Sequence, residues 1–295
     1  MSTLTICFYA VFISQVFLLS YYYPRKIHQR IRYVLKNYPP AQYAKLYPMM
    51  SAELAEMKCR TGLNRFRNLS IAVALLGIGL LITAFVQNWS PALFEVEAIV
   101  ALYAMAQFIP IGILSITEYQ QLKLMRMVNR SSKRTSNLQA RRLFDFISPI
   151  FILLAIGLIV ANSGLDIYLA AVDSKWDSDL LIKILSTNMV HVFFAAMIGY
   201  HLYGKKPNPL QSQKDRISEI QTLVKSAVFV SMAASAFFIF NTALDLFDAS
   251  VLDGLAMSIY FQFIGVFGLG MLMRSMPIEQ IDFEPYKTSS STLLN

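Results

Sequence analysis

Residues 146–162 read FISPIFILLAIGLIVAN, a run that contains no charged side chain. A helix needs about 20 mostly apolar residues to cross ~30 Å of hydrocarbon, and this run with its flanks supplies one crossing. Six further stretches share its character. The seven cover 4–22, 69–87, 96–117, 145–162, 181–203, 226–246 and 253–273. The chain therefore reads as an all-α, polytopic membrane protein, a bundle of seven transmembrane helices. Composition agrees: of 295 residues, 56% are apolar and 15% charged, with a mean hydropathy of +0.48. Ordinary globular chains carry about 45–50% and about 25%. With 2 Cys, 12 Gly and 11 Pro, a disulfide scaffold, collagen and a disordered chain are excluded.

The charges set a direction. Lys and Arg collect on alternate connections: ten after the first span, seven after the third, five between the fifth and sixth, and two after the seventh. These make 24 of the 26 basic residues, against nine of the 18 acids on the same side, so that side carries about +15 and the other about −7. The positive-inside rule then predicts the N-terminus outside and the C-terminus inside. The formal charge of +8 is thus a topology signal, and no nucleic-acid partner is needed to explain it. The expected location is a multi-pass position in a bacterial inner (plasma) membrane, against a bilayer with an anionic inner leaflet. The first span lacks a basic leading region, and YYYPRK follows it where a signal peptide would show small residues, so it reads as an uncleaved anchor.

The connections are uneven. Short outer links make hairpins of spans 2–3, 4–5 and 6–7, with span 1 before them; a three-one-three grouping fits the same topology. Residues 24–68 form a basic cytoplasmic segment. Within it, Ile27, Ile31, Val34 and Leu35 recur at helical spacing among basic residues, with Pro24 suited to a first helical position. This predicts a basic amphipathic helix on the inner leaflet. Tyr38, Tyr43 and Tyr47, spaced among prolines, are expected at the interface. Ser51 is placed to cap the helix leading into span 2. The segment serves either as a membrane-surface collar or as a docking site for a partner or lipid headgroups. Residues 275–295 are a cytoplasmic tail.

Amides and imidazoles in hydrocarbon need partners, because an unpaired polar group there costs several kcal/mol. Near the centres of spans 1, 3, 5 and 7 lie Gln15, Gln107, His191 and Gln262, with Asn188 one turn before His191 and Tyr103 one turn before Gln107. These four helices run in the same direction. Their polar groups are expected either to pair between helices or to converge on one ligand-accessible site lined by Gln15, Gln107, Asn188, His191 and Gln262. Pro110 is a candidate hinge. At the outer end, Asn241, Asp245 and Asp248 are spaced for one helical face. With Glu95 and Glu97 they read as an acidic vestibule for cations, or as an ordinary solvated rim.

The sequence contains no P-loop and no HExxH. No catalytic triad falls at one predicted depth, His28 and His201 sit toward the basic surface, and no metal or cofactor set is expected. These absences lean against an enzyme. The leading expectation is a small-solute or ion transporter or channel-like protein with a midplane polar site. The alternative is a sensory or binding module, or an accessory subunit docking a partner through its basic first loop.

Overall fold

A computed structural model of the chain describes residues 3–89, 94–128, 141–172, 176–204 and 206–288. Among these, seven helices are long and apolar enough to cross a membrane and no strand occurs. They are α1 (Thr3–Asn37), α2 (Ala52–Val86), α3 (Phe94–Val128), α4 (Pro149–Val172), α5 (Ser178–Tyr203), α6 (Gln213–Leu246) and α7, built from Asp253–Gly265, Val266–Gly270 and Met271–Ser275. All seven expected spans are present.

Four helices are much longer than a crossing requires. With 33 to 35 residues each, α1, α2, α3 and α6 reach about 50 Å at ~1.5 Å per residue. Their surplus lies at the end rich in Lys and Arg, called here the basic end. The amphipathic stretch after Pro24 therefore does not form a separate helix. It continues α1 as Tyr23–Asn37 and packs against α2. Pro24 is tolerated because it stands in the first turn of that segment, directly after a π turn over Val16–Tyr22. Ser51 caps α2 as expected, its Oγ accepting from Leu54 N at 3.3 Å. Pro110 does not end α3, which runs on to Val128.

The fourth span is shifted. Its helix begins at Pro149, a favoured first position, and runs to Val172 instead of stopping near residue 162. The stretch SGLDIYLAAV, which the expected spans leave to a connection, is helical, and this brings Asp166 inside the bundle.

Packing divides the helices into two groups. α1, α2, α3 and α7 surround one core of Phe8, Phe12, Val16, Val73, Val96, Val100 and Tyr103. α4 and α5 pack on α6 around Phe146, Ile147, Ala155, Leu202, Ile220, Val224 and Val228. The groups join along α6 and α7, where Phe229 stacks on Phe267 and Phe237 on Tyr260, with centroids 5.6 and 4.4 Å apart. The helices of each expected hairpin do pack together, but the partition divides the α6–α7 hairpin and does not follow a three-one-three grouping.

A third apolar cluster closes the basic end. Phe283 and Tyr286, from the segment after α7, pack with Tyr43 and Met125. Phe283 stacks on Tyr38 at 3.9 Å between centroids. Thr288 N donates to Gln42 O at 3.0 Å, and Asp282 N to Asp215 Oδ2 at 3.0 Å. Tyr43 is therefore buried inside this knot, and Tyr47 is buried beside it, its hydroxyl donating to Tyr38 O at 3.2 Å. Their hydroxyls and rings suit a small mixed core as well as they suit headgroups, and spacing alone does not separate the two.

Candidate functional site

The five midplane residues do not converge on one site. Three of the four helices that carry polar centres, α1, α3 and α7, do meet, but His191 and Asn188 of α5 belong to the other helix group. Two separate polar systems result.

The first is a directional chain of hydrogen bonds. Ser258 Oγ of α7 donates to Gln15 Oε1 of α1 at 2.6 Å. Gln15 Nε2 donates to Gln107 Oε1 of α3 at 2.8 Å, and Gln107 Nε2 donates to Ser20 Oγ at 2.8 Å. Ser20 and Tyr103 Oη lie 3.1 Å apart, and Tyr103 donates to the carbonyl of Val73 in α2 at 3.2 Å. Each of these side chains is almost wholly buried. Every donor along the chain finds an acceptor, so the arrangement pins four helices together and leaves no polar atom of the chain to be satisfied from outside.

Glycine makes the last link possible. Gly77 lies one turn after Val73, and a methyl group there would collide with the Tyr103 hydroxyl and with Val16. Gly79, two residues on, faces open space. The π turn of α1 meets α7 in the same way, with Leu19 packed on Gly265 and the Tyr23 hydroxyl against Gly270. Gln262 stands just outside the chain. Its Nε2 donates to Val11 O at 3.2 Å, and Ser14 Oγ lies 2.9 Å from its Oε1.

The second system is a polar seam through α4, α5 and α6. Near the end opposite the basic one, Lys183 Nζ of α5 lies 2.9 Å from Asp166 Oδ1 of α4 and donates to Thr242 Oγ1 of α6 at 3.2 Å. Asp166 is 4% exposed, and apart from the ion pair of its Oδ1 with Lys183 neither carboxylate oxygen has a hydrogen-bond partner among the described residues. About one turn deeper, Asn188 Nδ2 donates to Ser163 Oγ at 3.0 Å. Another turn on, His191 sits between two α6 serines, with Nδ1 2.8 Å from Ser231 Oγ and Nε2 3.2 Å from Ser235 Oγ. A neutral imidazole is satisfied there in either tautomer, because each hydroxyl donates or accepts as required.

Beyond His191 the seam stops. Ile198, Leu202, Ile220, Val224 and Val228 fill the space between the same helices. Past that apolar layer, at the basic end, Arg216 is 1% exposed, donates to His201 O at 3.0 Å and lies 3.4 Å from Glu219 Oε2. Sequence reasoning missed both Asp166–Lys183 and Arg216–Glu219. It counted Asp166 and Lys183 only among the charges of the outer side, and Arg216 among those of the basic segment between the fifth and sixth spans. The signal open to it was Asp166 following Asn162 by four residues, which continues a polar face directly out of the most apolar span.

The acidic vestibule is rearranged. Glu97, Asp245 and Asp253 lie close enough to act on one another electrostatically. Asp248 does not extend the face of Asn241 and Asp245. α6 ends at Leu246, and Asp248 has a left-handed backbone with φ 55° in the following turn. The side chain of Glu95 lies outside the described residues. Among the described residues, no group of three or more His, Cys, Asp or Glu side chains is arranged to hold a metal ion.

No protein-family model, curated protein or solved structure matches this chain. Its chemistry is therefore argued from its own residues.

Proposed function

We propose that this integral, multi-pass membrane protein is a small-solute or ion transporter and that its working path is the α4–α5–α6 seam. The observation that carries this reading is the burial of Asp166. A carboxylate enclosed among apolar helices is costly unless paired, and such residues mark ion and substrate paths in membrane proteins. From Asp166 and Lys183 the seam leads through Asn188 and Ser163 to His191, where an apolar layer interrupts it. Polar access up to a closed barrier is the geometry of a path held shut at one end. In this reading the α1–α2–α3–α7 group, tied by its own hydrogen-bond chain, is the stationary frame, and α6 slides along α7. The basic end faces the cytoplasm and the acidic end the outside of a plasma membrane, as the charge asymmetry favours.

Purified protein reconstituted in vesicles tests the reading. With a trapped pH-sensitive dye and a panel of inorganic ions and small organic solutes outside, the expected result is a gradient-driven flux that Asp166→Asn abolishes. Gln15→Leu is expected to leave that flux standing, because its hydrogen-bond chain belongs to the frame. A flux unaltered by Asp166→Asn and His191→Ala would remove the seam from the proposal. Cysteines placed at 89 and 208 and labelled from either side test the orientation. Labelling of position 89 from the cytoplasmic side would reverse it.

A second reading, an accessory subunit that presents its basic end to a partner, draws on the tail segment 276–288, which organises that end into a fixed surface. The vesicle assay separates it, since it requires no flux.

A further inference from the structure

The contact between Lys183 and Asp166 has an asymmetry that bears on what the seam carries. Asp166 is enclosed, with its side chain 2% exposed, whereas the Lys183 side chain is 47% exposed and ends a flexible stem. The ammonium bridges two oxygens, Asp166 Oδ1 at 2.9 Å and Thr242 Oγ1 at 3.2 Å. Thr242 is itself buried, and the second carboxylate oxygen of Asp166 is unengaged among the described residues. Withdrawal of the lysine head toward the surface would therefore uncover a buried seat of three oxygens, one group of them anionic, with no other positive charge paired to it among the described residues.

We propose that this seat binds a small monovalent metal cation of the sodium class, and that Lys183 is its resident substitute. Hard oxygen donors with a single negative charge match a singly charged alkali cation, which such donors hold without the several carboxylates a divalent ion demands. Alternation of the two cations keeps Asp166 neutralised throughout, which is what a buried carboxylate requires. The seat lies at the mouth of the seam toward the acidic end. There the acidic residues Asp245 and Asp253 raise the local concentration of cations and lower that of anions. This inference deepens the transport reading and rests on it for its purpose, though not for its test.

The test uses the full-length purified protein in detergent, with thermal unfolding followed in sodium, potassium, lithium or choline chloride at equal ionic strength and fixed pH. Wild type is expected to differ little among the four, because its own lysine competes with sodium for the seat. Lys183→Gln vacates it, and its midpoint is expected to rise saturably with sodium by about 2–4 °C over choline. Lys183→Gln with Asp166→Asn is expected to lose that dependence. Equal stability of Lys183→Gln in every salt, or a dependence that survives in the double variant, overturns the proposal.

Acylation of Lys183 in the wild type, read by mass spectrometry, covers the case in which Lys183→Gln does not fold. Sodium is expected to speed acylation about threefold or more relative to choline by releasing the amine, and an unchanged rate overturns the proposal. Neither measurement involves transport. Sodium dependence without vesicle flux would keep the seat and remove the transporter, and flux without sodium dependence would do the reverse.

Discussion

Replacing Gln107 by leucine tests the claim that the hydrogen-bond chain holds four helices together. The substitution keeps the side-chain volume near that of glutamine but removes three contacts: the acceptor for Gln15 Nε2 at 2.8 Å, the donor to Ser20 Oγ at 2.8 Å and the donor to Gln15 O at 3.3 Å. Interhelical hydrogen bonds in membrane proteins average about 0.6 kcal/mol, so the three together amount to ~2 kcal/mol. Leaving Gln15 Nε2 buried without an acceptor adds about 1–3 kcal/mol. The single variant should therefore lose about 3–5 kcal/mol, and Gln15→Leu should lose a similar amount by stranding Gln107. The double variant Gln15→Leu/Gln107→Leu leaves neither amide stranded, and Ser258 can donate to its own helix backbone. Its loss should fall short of the sum of the singles by at least ~1 kcal/mol. Unfolding in mixed micelles, with the two singles and the double compared at one temperature, measures this coupling. Additivity within about 0.3–0.5 kcal/mol, or a single-variant loss no larger than a surface substitution, would refute the chain as a cooperative unit.

Gly77→Ala should destabilise by about 1–3 kcal/mol through collision with Tyr103 and Val16, whereas Gly79→Ala should be nearly neutral; thermal unfolding of the pair checks the contrast. Gly77→Ala combined with Tyr103→Phe should recover part of the loss, since the shorter ring vacates the position of the hydroxyl. At the basic end, Tyr286→Phe removes the bond accepted from Asn208 at 2.6 Å and should loosen residues 276–288 by about 1 kcal/mol, read as faster limited proteolysis of the tail.

The same tail should release at alkaline pH. Burial pushes the Tyr286 phenol from 10.0 up to about 12, the Asn208 bond acts against this, and Asp215, Glu219 and Asp282 add to the rise. The folded value lies above the unfolded one, so the contribution of Tyr286 is complete below pH 10 and is lost as pH rises through about 12. Proteolysis that accelerates well below pH 10 would exclude Tyr286 as the cause. His191→Ala should cost only ~1 kcal/mol, because Ser231 and Ser235 can turn back to their own helix. A flux defect much larger than that stability loss would mark His191 as part of the path, and a flux unchanged by the substitution would not.

The number of the seven helices and the core of each followed from the sequence alone, though not the extent of the fourth, because partition into hydrocarbon is a property of about 20 neighbouring residues. Ser51 as a cap was equally legible, its contact lying three residues away. Gln15, Gln107 and His191 are buried, as their position within apolar runs predicts. Which of them meet was beyond the sequence. Gln15 pairs with Gln107 across 92 residues and with Ser258 across 243, while His191, at a similar depth, turns to Ser231 and Ser235 on another helix.

Only the tertiary structure decided that Asp166 lies inside the bundle, that Tyr43 is enclosed by the returning tail, and that Gly77 differs from Gly79. The reason is physical. Transfer from water to lipid is summed along the chain, residue by residue, and alternation of apolar runs with charge records it. The choice of partner depends on how close two helix backbones come, and a glycine or a widened turn that permits a close approach looks the same in sequence as one that faces lipid.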